Sequence, residues 1–119
     1  MERAWIGLGA LSGLSAVAMA AATAHLLAGP AAEMAGRAVQ MQGWHALALV
    51  ATGIWAPRGG RAAHLAGAAF VLGSLCFCGA VYALALGGVH LGPLAPTGGT
   101  LLMLGWALLG VSALRARPA

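Results

Sequence analysis

The sequence is 119 residues long, 61% hydrophobic and only 7% charged, with a net charge of +4. An ordinary soluble domain carries roughly 25% charged residues, and a chain this short has too little interior to hide so much apolar surface from water. Composition therefore excludes a water-soluble fold and leaves one compact membrane domain, residues 1–119, with lipid as its solvent. Every basic residue apart from the histidines is an arginine: Arg3, Arg37, Arg58, Arg61, Arg115 and Arg117. They fall between apolar stretches rather than on one face of a soluble fold, so they read as topology signals and give no nucleic-acid partner.

The first apolar stretch runs from Ala4 to Leu27. It mimics a secretory signal, with Arg3 ahead of it and Ala-x-Ala patterns at 18–20 and 22–24. Its apolar run exceeds the roughly 7–15 residues of a signal-peptide core, so a retained helix is expected. A polar link follows with Gly29, Pro30, Glu33, Gly36 and Arg37. Pro30 suits the first turn of a helix and Glu33 its positive end, which predicts a brief interfacial helix. The second span covers Val39–Trp55, and Pro57, Arg58, Gly59, Gly60 and Arg61 make a turn signal. The third covers Ala63–Leu86. Gly87, Gly88, His90, Gly92, Pro93 and Pro96 break the chain again before a fourth span over Thr97–Leu114.

Spans of about 17–25 residues match the roughly 30 Å of a bilayer's hydrocarbon. Short links force neighbouring helices antiparallel. The expected fold is all-α: an integral membrane four-helix bundle, up-down-up-down. Arg3, Arg58, Arg61, Arg115 and Arg117 then share one side against Arg37 alone on the other, which places both termini in the cytoplasm. Trp5, Trp44 and Trp55 sit near span ends and suit the interface; Trp106 lies inside its span and is expected to pack.

Lipid gives helices no hydrophobic drive to associate, so close approach at small residues must hold them. The first span offers Gly9-x-x-x-Gly13, the third Ala69-x-x-x-Gly73 and Gly79-x-x-x-Ala83, and the fourth Gly105 and Gly110. These faces serve either the bundle itself or a homo-oligomer seam. Cys76 and Cys78 point about 200° apart on one helix and cannot pair there.

Polar groups inside spans are costly and usually face protein, which makes them the place to look for chemistry. The topology gathers them in the outer half of the bundle: His25 ends the first span, Gln40, Gln42 and His45 open the second, Tyr82 nears the end of the third, and Thr97 and Thr100 open the fourth. His25, Gln42, His45, Tyr82 and Thr97 are the candidate polar pocket. One account is a hydrogen-bond network that fixes helix register. The other is an outward-facing cleft for a lipid, quinone, metal or small solute. Haem would need His25 and His45 at matching depth, and copper or zinc would draw on Met19, Met41 or the cysteines without any recognisable ligand spacing. No metal and no cofactor is assigned. Glu2 and Glu33 are the only acids and lie outside the spans, and there is no lysine or aspartate. Carboxylate pairs, oriented histidines and nucleotide loops are thus missing, which argues against an enzyme.

The run Gln42-Gly43-Trp44-His45-Ala46-Leu47-Ala48-Leu49 resembles the Tyr-Gln-x-x-His-x-Leu-Ala signature of the domain-of-unknown-function 423 family, which includes the transmembrane protein 256 relatives. The run 77–86, Phe-Cys-Gly-Ala-Val-Tyr-Ala-Leu-Ala-Leu, is similar to the family's Phe-Ser-Gly-Ser-x-Tyr-x-Leu-Ala-Leu element. Ala95-Pro96-Thr97-Gly98-Gly99 with Gly105-Trp106 resembles its closing motif, and Ala24-His25 its first-helix element. Met41, Cys78, Ala80 and Ala95 depart from the pattern, so the thiols are not family features. The resemblance implies a small multi-pass protein of the bacterial cytoplasmic (inner) membrane and brings no biochemical activity with it. The expected role is a non-enzymatic structural or accessory one, packing against lipid or other membrane subunits, with a small binding or transport module as the rival.

Overall fold

A computed structural model describes residues 1–116; Arg117, one of the topology arginines, lies outside the described residues. The chain is all-helical, as α1 (Glu2–Leu26), α2 (Gly29–Gly87) and α3 (Leu94–Leu114). All three are long and apolar enough to cross a membrane. In hydrocarbon the helix is the one local structure that satisfies every backbone group within its own segment.

Four helices were expected, and three are present. The second and third expected spans belong to α2, whose 59 residues would make a straight rod about 88 Å long. The molecule is only 50 Å in its longest dimension. The difference is taken up at Gly60, whose φ of 64° and ψ of −148° interrupt the helical backbone. That region is open to glycine and costs other residues of order 1–3 kcal/mol. One residue thus does the work expected of a loop over 57–61. It divides α2 into a first limb, 29–59, and a second, 61–87.

The interfacial helix expected around Glu33 is continuous with the first limb, with Pro30 in its opening turn, where a missing N–H costs nothing. The second limb ends at Gly88 in the left-handed conformation: the Gly88 amide reaches the Leu84 carbonyl and the Val89 amide that of Ala83. This paired closure satisfies carbonyls that a helix end leaves orphaned. α3 starts at Leu94, three residues earlier than expected, because Pro96 is tolerated in a first turn.

α1 and α3 each pack on α2, and among the described residues they do not touch one another. The contacts run through glycine. A Cβ placed on Gly9 would lie 2.7 Å from the Ala46 carbonyl oxygen, one on Gly73 2.9 Å from Leu102, and one on Gly105 2.7 Å from the Phe70 ring. At Gly13 it would meet only Ala46 at 3.8 Å, and at Gly79 and Gly110 nothing within 4 Å. Gly53, Gly67 and Gly98 are equally tight, against Glu2 and Ile6, Trp5, and the Gly73–Phe77 backbone respectively. The core they surround holds Trp5, Ala48, Leu49, Ala66, Phe70 and Leu102. Leu14, Val17, Leu47, Leu75 and Leu114 point outward.

Candidate functional site

Of the five expected pocket residues, the fold joins two directly. Tyr82 Oη on the second limb donates to Gln42 Oε1 on the first at 2.7 Å, and Gln42 Nε2 donates to the Ser12 carbonyl of α1 at 3.1 Å. One amide therefore ties three lengths of helix together. Beside it Cys78 Sγ faces the Ala38 carbonyl at 3.5 Å, a weak bond that crosses the same limb pair. A cleft of about 250 Å³ opens here, lined by Ser12, Ser15, Met19, Gln42, Ser74 and Tyr82. Sequence reasoning missed Ser12 and Ser15. Their signal was present: 12, 15 and 19 fall at helical spacing and share one stripe of α1.

The Gln42–Tyr82 bond should be measurable as coupling. Tyr82→Phe and Gln42→Leu, alone and together, are expected to show an interaction energy of about 0.6–1.7 kcal/mol, the range found for hydrogen bonds between membrane helices. Unfolding the detergent-solubilised chain with SDS would measure it, and additive single effects would mean that the bond contributes nothing.

His45 lies one turn from Gln42 on a neighbouring part of the same face, but its partner is on α3. The Trp106 indole N–H donates to His45 Nε2 at 3.0 Å, and His45 Nδ1 lies 2.6 Å from the Met41 carbonyl. An indole only donates and a carbonyl only accepts, which fixes the imidazole proton on Nδ1. The Phe70 ring completes the cluster, 5.7 Å from His45 and edge-on to Trp106 at 5.2 Å. His45 is buried, whereas Trp106 keeps 49% of its surface exposed on the outside of α3. With both ring nitrogens engaged, His45 offers no lone pair to a haem or metal in this arrangement. His25 is exposed at the C-terminal end of α1, and Thr97 is exposed with its hydroxyl turned back onto the Pro93 carbonyl at 2.8 Å. The described residues contain no group of three His, Cys, Asp or Glu side chains placed to hold a metal ion.

Two further indole bonds went unread in the sequence. Trp5, expected at the interface, is buried and donates to His64 Nδ1 at 2.9 Å, its ring against Gly67. Trp55 donates to the buried Ser112 hydroxyl at 2.9 Å, joining α2 to α3. Trp44 alone of the three stays mostly exposed, as an interfacial indole would.

The chain matches the model of the family described as "Protein of unknown function (DUF423)" over residues 19–99. It is 30% identical to a UPF0382 membrane protein of Haemophilus influenzae, with 98% of both chains covered. Similar relatives are the UPF0382 membrane proteins of Staphylococcus epidermidis, 32% identical over 95% of this chain and 97% of that one, and of Staphylococcus haemolyticus, 34% identical over 91% and 93%. No solved structure matches the chain significantly. The matched region contains both the Gln42–Tyr82 pair and the Gly60 break, and the likeness to the relatives runs nearly end to end. The chain belongs to the DUF423 family of membrane proteins, whose function is unknown.

Proposed function

We propose that this is a non-enzymatic, multi-pass protein of the bacterial cytoplasmic (inner) membrane, working by packing against lipid or against other membrane subunits, further copies of itself included. It forms a single transmembrane domain that crosses four times, up-down-up-down, each limb of α2 making one crossing and both termini lying in the cytoplasm. One observation carries the reading. Among the described residues the buried polar side chains Gln42, His45 and Ser112 are spent on other side chains and nearby carbonyls, through Trp106–His45, Trp55–Ser112 and Tyr82–Gln42–Ser12, with the Thr23 hydroxyl alone left without a partner, while large apolar side chains cover the outside. Such a molecule presents packing surface rather than reactive groups. Arg3, Arg58, Arg61 and Arg115 gather at one end in the four-crossing arrangement, which supports the orientation.

The Ser12–Ser15–Gln42–Tyr82 cleft favours a second reading, a binding module for a small polar ligand or lipid headgroup. Extraction of the full chain from native membranes into lipid-preserving polymer discs, followed by native mass spectrometry, separates the two. The packing reading expects bound lipid or a stoichiometric membrane subunit that Gln42→Ala leaves in place; a lipid or small molecule released by Gln42→Ala would replace it with the second. In intact cells and inverted membrane vesicles, with Cys76 and Cys78 changed to serine, a cysteine appended after Ala119 should react with an impermeant maleimide only from the cytoplasmic side. Labelling of intact cells from outside would overturn the orientation.

A further inference from the structure

Where α2 doubles back, a cavity of about 510 Å³ lies between the turn and the end of α3. Arg58 and Arg61 flank the Gly60 break on one side and Arg115 closes α3 on the other, while Leu65, Leu108 and Val111 form an apolar wall. All three arginines are exposed. Among the described residues the only ion pair joins the Met1 amino group to Glu2, so none of the three has a carboxylate partner. Glu33, the other acid, lies in the first turns of α2, at the far end of the first limb.

Arg58 is also held in place. Its guanidinium sits 5.3 Å from the centroid of the Trp55 ring, and Trp55 is anchored in turn by its bond to buried Ser112. A topology signal requires positive charge only on one side of the membrane. It does not require arginines from two helices, more than 50 positions apart in sequence, to converge on one cavity with an oriented guanidinium among them.

We propose that Arg58, Arg61 and Arg115 dock the phosphate headgroup of an anionic phospholipid, with its acyl chain along Leu65, Leu108 and Val111. Guanidinium groups match phosphate oxygens with two parallel N–H donors and give up water more readily than ammonium groups. Basic pockets between membrane helices suit such headgroups. The apolar wall is what distinguishes a lipid from free phosphate, because a free anion gains nothing from leucine and valine. The site rests on the membrane-crossing reading but not on which end faces the cytoplasm.

The test uses the full chain, stripped of lipid in a neutral detergent and titrated with phosphatidylglycerol or phosphatidylcholine of matched acyl chains under native mass spectrometry. Phosphatidylglycerol should be retained preferentially. Each arginine-to-glutamine change should weaken that retention about fivefold, and Arg58→Gln/Arg61→Gln/Arg115→Gln together roughly a hundredfold. Arg3→Gln/Arg37→Gln serves as the charge-matched control for Arg58→Gln/Arg61→Gln and should keep the preference, and circular dichroism confirms that each variant remains helical. Trp55→Leu should weaken retention with no change of charge. Equal retention of the two lipids by the wild type, or an undiminished preference in the triple variant, overturns the site. Protection from heating by inorganic phosphate, lost in the triple variant and unaccompanied by lipid preference, reassigns the arginines to a free anion and overturns the lipid. A chain that stays dispersed without detergent would sink the membrane-crossing reading itself.

Discussion

Gly98→Ala is expected to loosen α3 from the second limb of α2 and to lower stability by about 1–3 kcal/mol, the usual cost of forcing an extra carbon into a filled interior. The reason lies in what the new methyl would strike. It would run into the Phe77 amide nitrogen and lie 2.8 Å from the Gly73 carbonyl oxygen and 2.9 Å from Cys76 Cβ. Two of these are backbone atoms inside a helix, and neither can turn aside as a long side chain can. One position further along, Gly99→Ala would meet only the edge of the Phe77 ring at 3.9 Å. Gly79→Ala would meet nothing, and removing the conformational freedom of a helical glycine should leave it neutral or up to about 1 kcal/mol more stable. SDS unfolding followed by tryptophan fluorescence compares all three. A Gly98→Ala protein as stable as Gly79→Ala would show that α3 does not ride that close to α2.

His45→Ala should cost about 2–4 kcal/mol, the effect of opening a cavity beside Phe70 together with the loss of the Trp106 and Met41 bonds. The Trp106 N–H would be left without a partner in a region that lipid rather than water surrounds, which makes the loss greater than the value of one bond. Trp106→Phe keeps most of the packing and removes the donor, so it isolates the hydrogen bond and should cost about 1 kcal/mol. If His45 served a metal or haem instead, Trp106→Phe would leave stability nearly unchanged and His45→Ala would alter bound metal. Metal analysis on the purified variants, alongside the unfolding curves, decides between these outcomes.

The apolar stretches and the breaks between them could be read from the sequence, because hydrocarbon thickness and backbone hydrogen bonding leave few alternatives. The small-residue contact points could be read only in part, since Gly79 and Gly110 meet nothing within 4 Å while Gly53, Gly67 and Gly98 are tight. The element count could not. The Pro57–Arg61 signal says that the chain must reverse but not how few residues it needs, and Gly60 alone suffices. Side-chain pairing was harder still. In water an amphipathic stripe shows which face of a helix is buried. Here leucine and alanine occupy inner and outer faces alike, so the rotation of each helix is hidden. His45 therefore read as a companion of His25, whereas Gly105 lets the Phe70 ring close against α3 and brings Trp106 to His45. Gln42 and Tyr82 were expected at matching depth on neighbouring segments, and depth alone was enough to bring them together.

The molecule is 50 × 26 × 17 Å. Its smallest dimension is less than twice the roughly 10–12 Å diameter of a helix with side chains, and α1 and α3 are kept apart by α2. Among the described residues such a slab leaves no room for an axial lumen in which a column of water could stand. Lipids and membrane subunits reach the faces of such a slab sideways, diffusing in the plane of the bilayer. Encounters are then two-dimensional and governed by how crowded the lipid around it is, rather than by concentrations on either side.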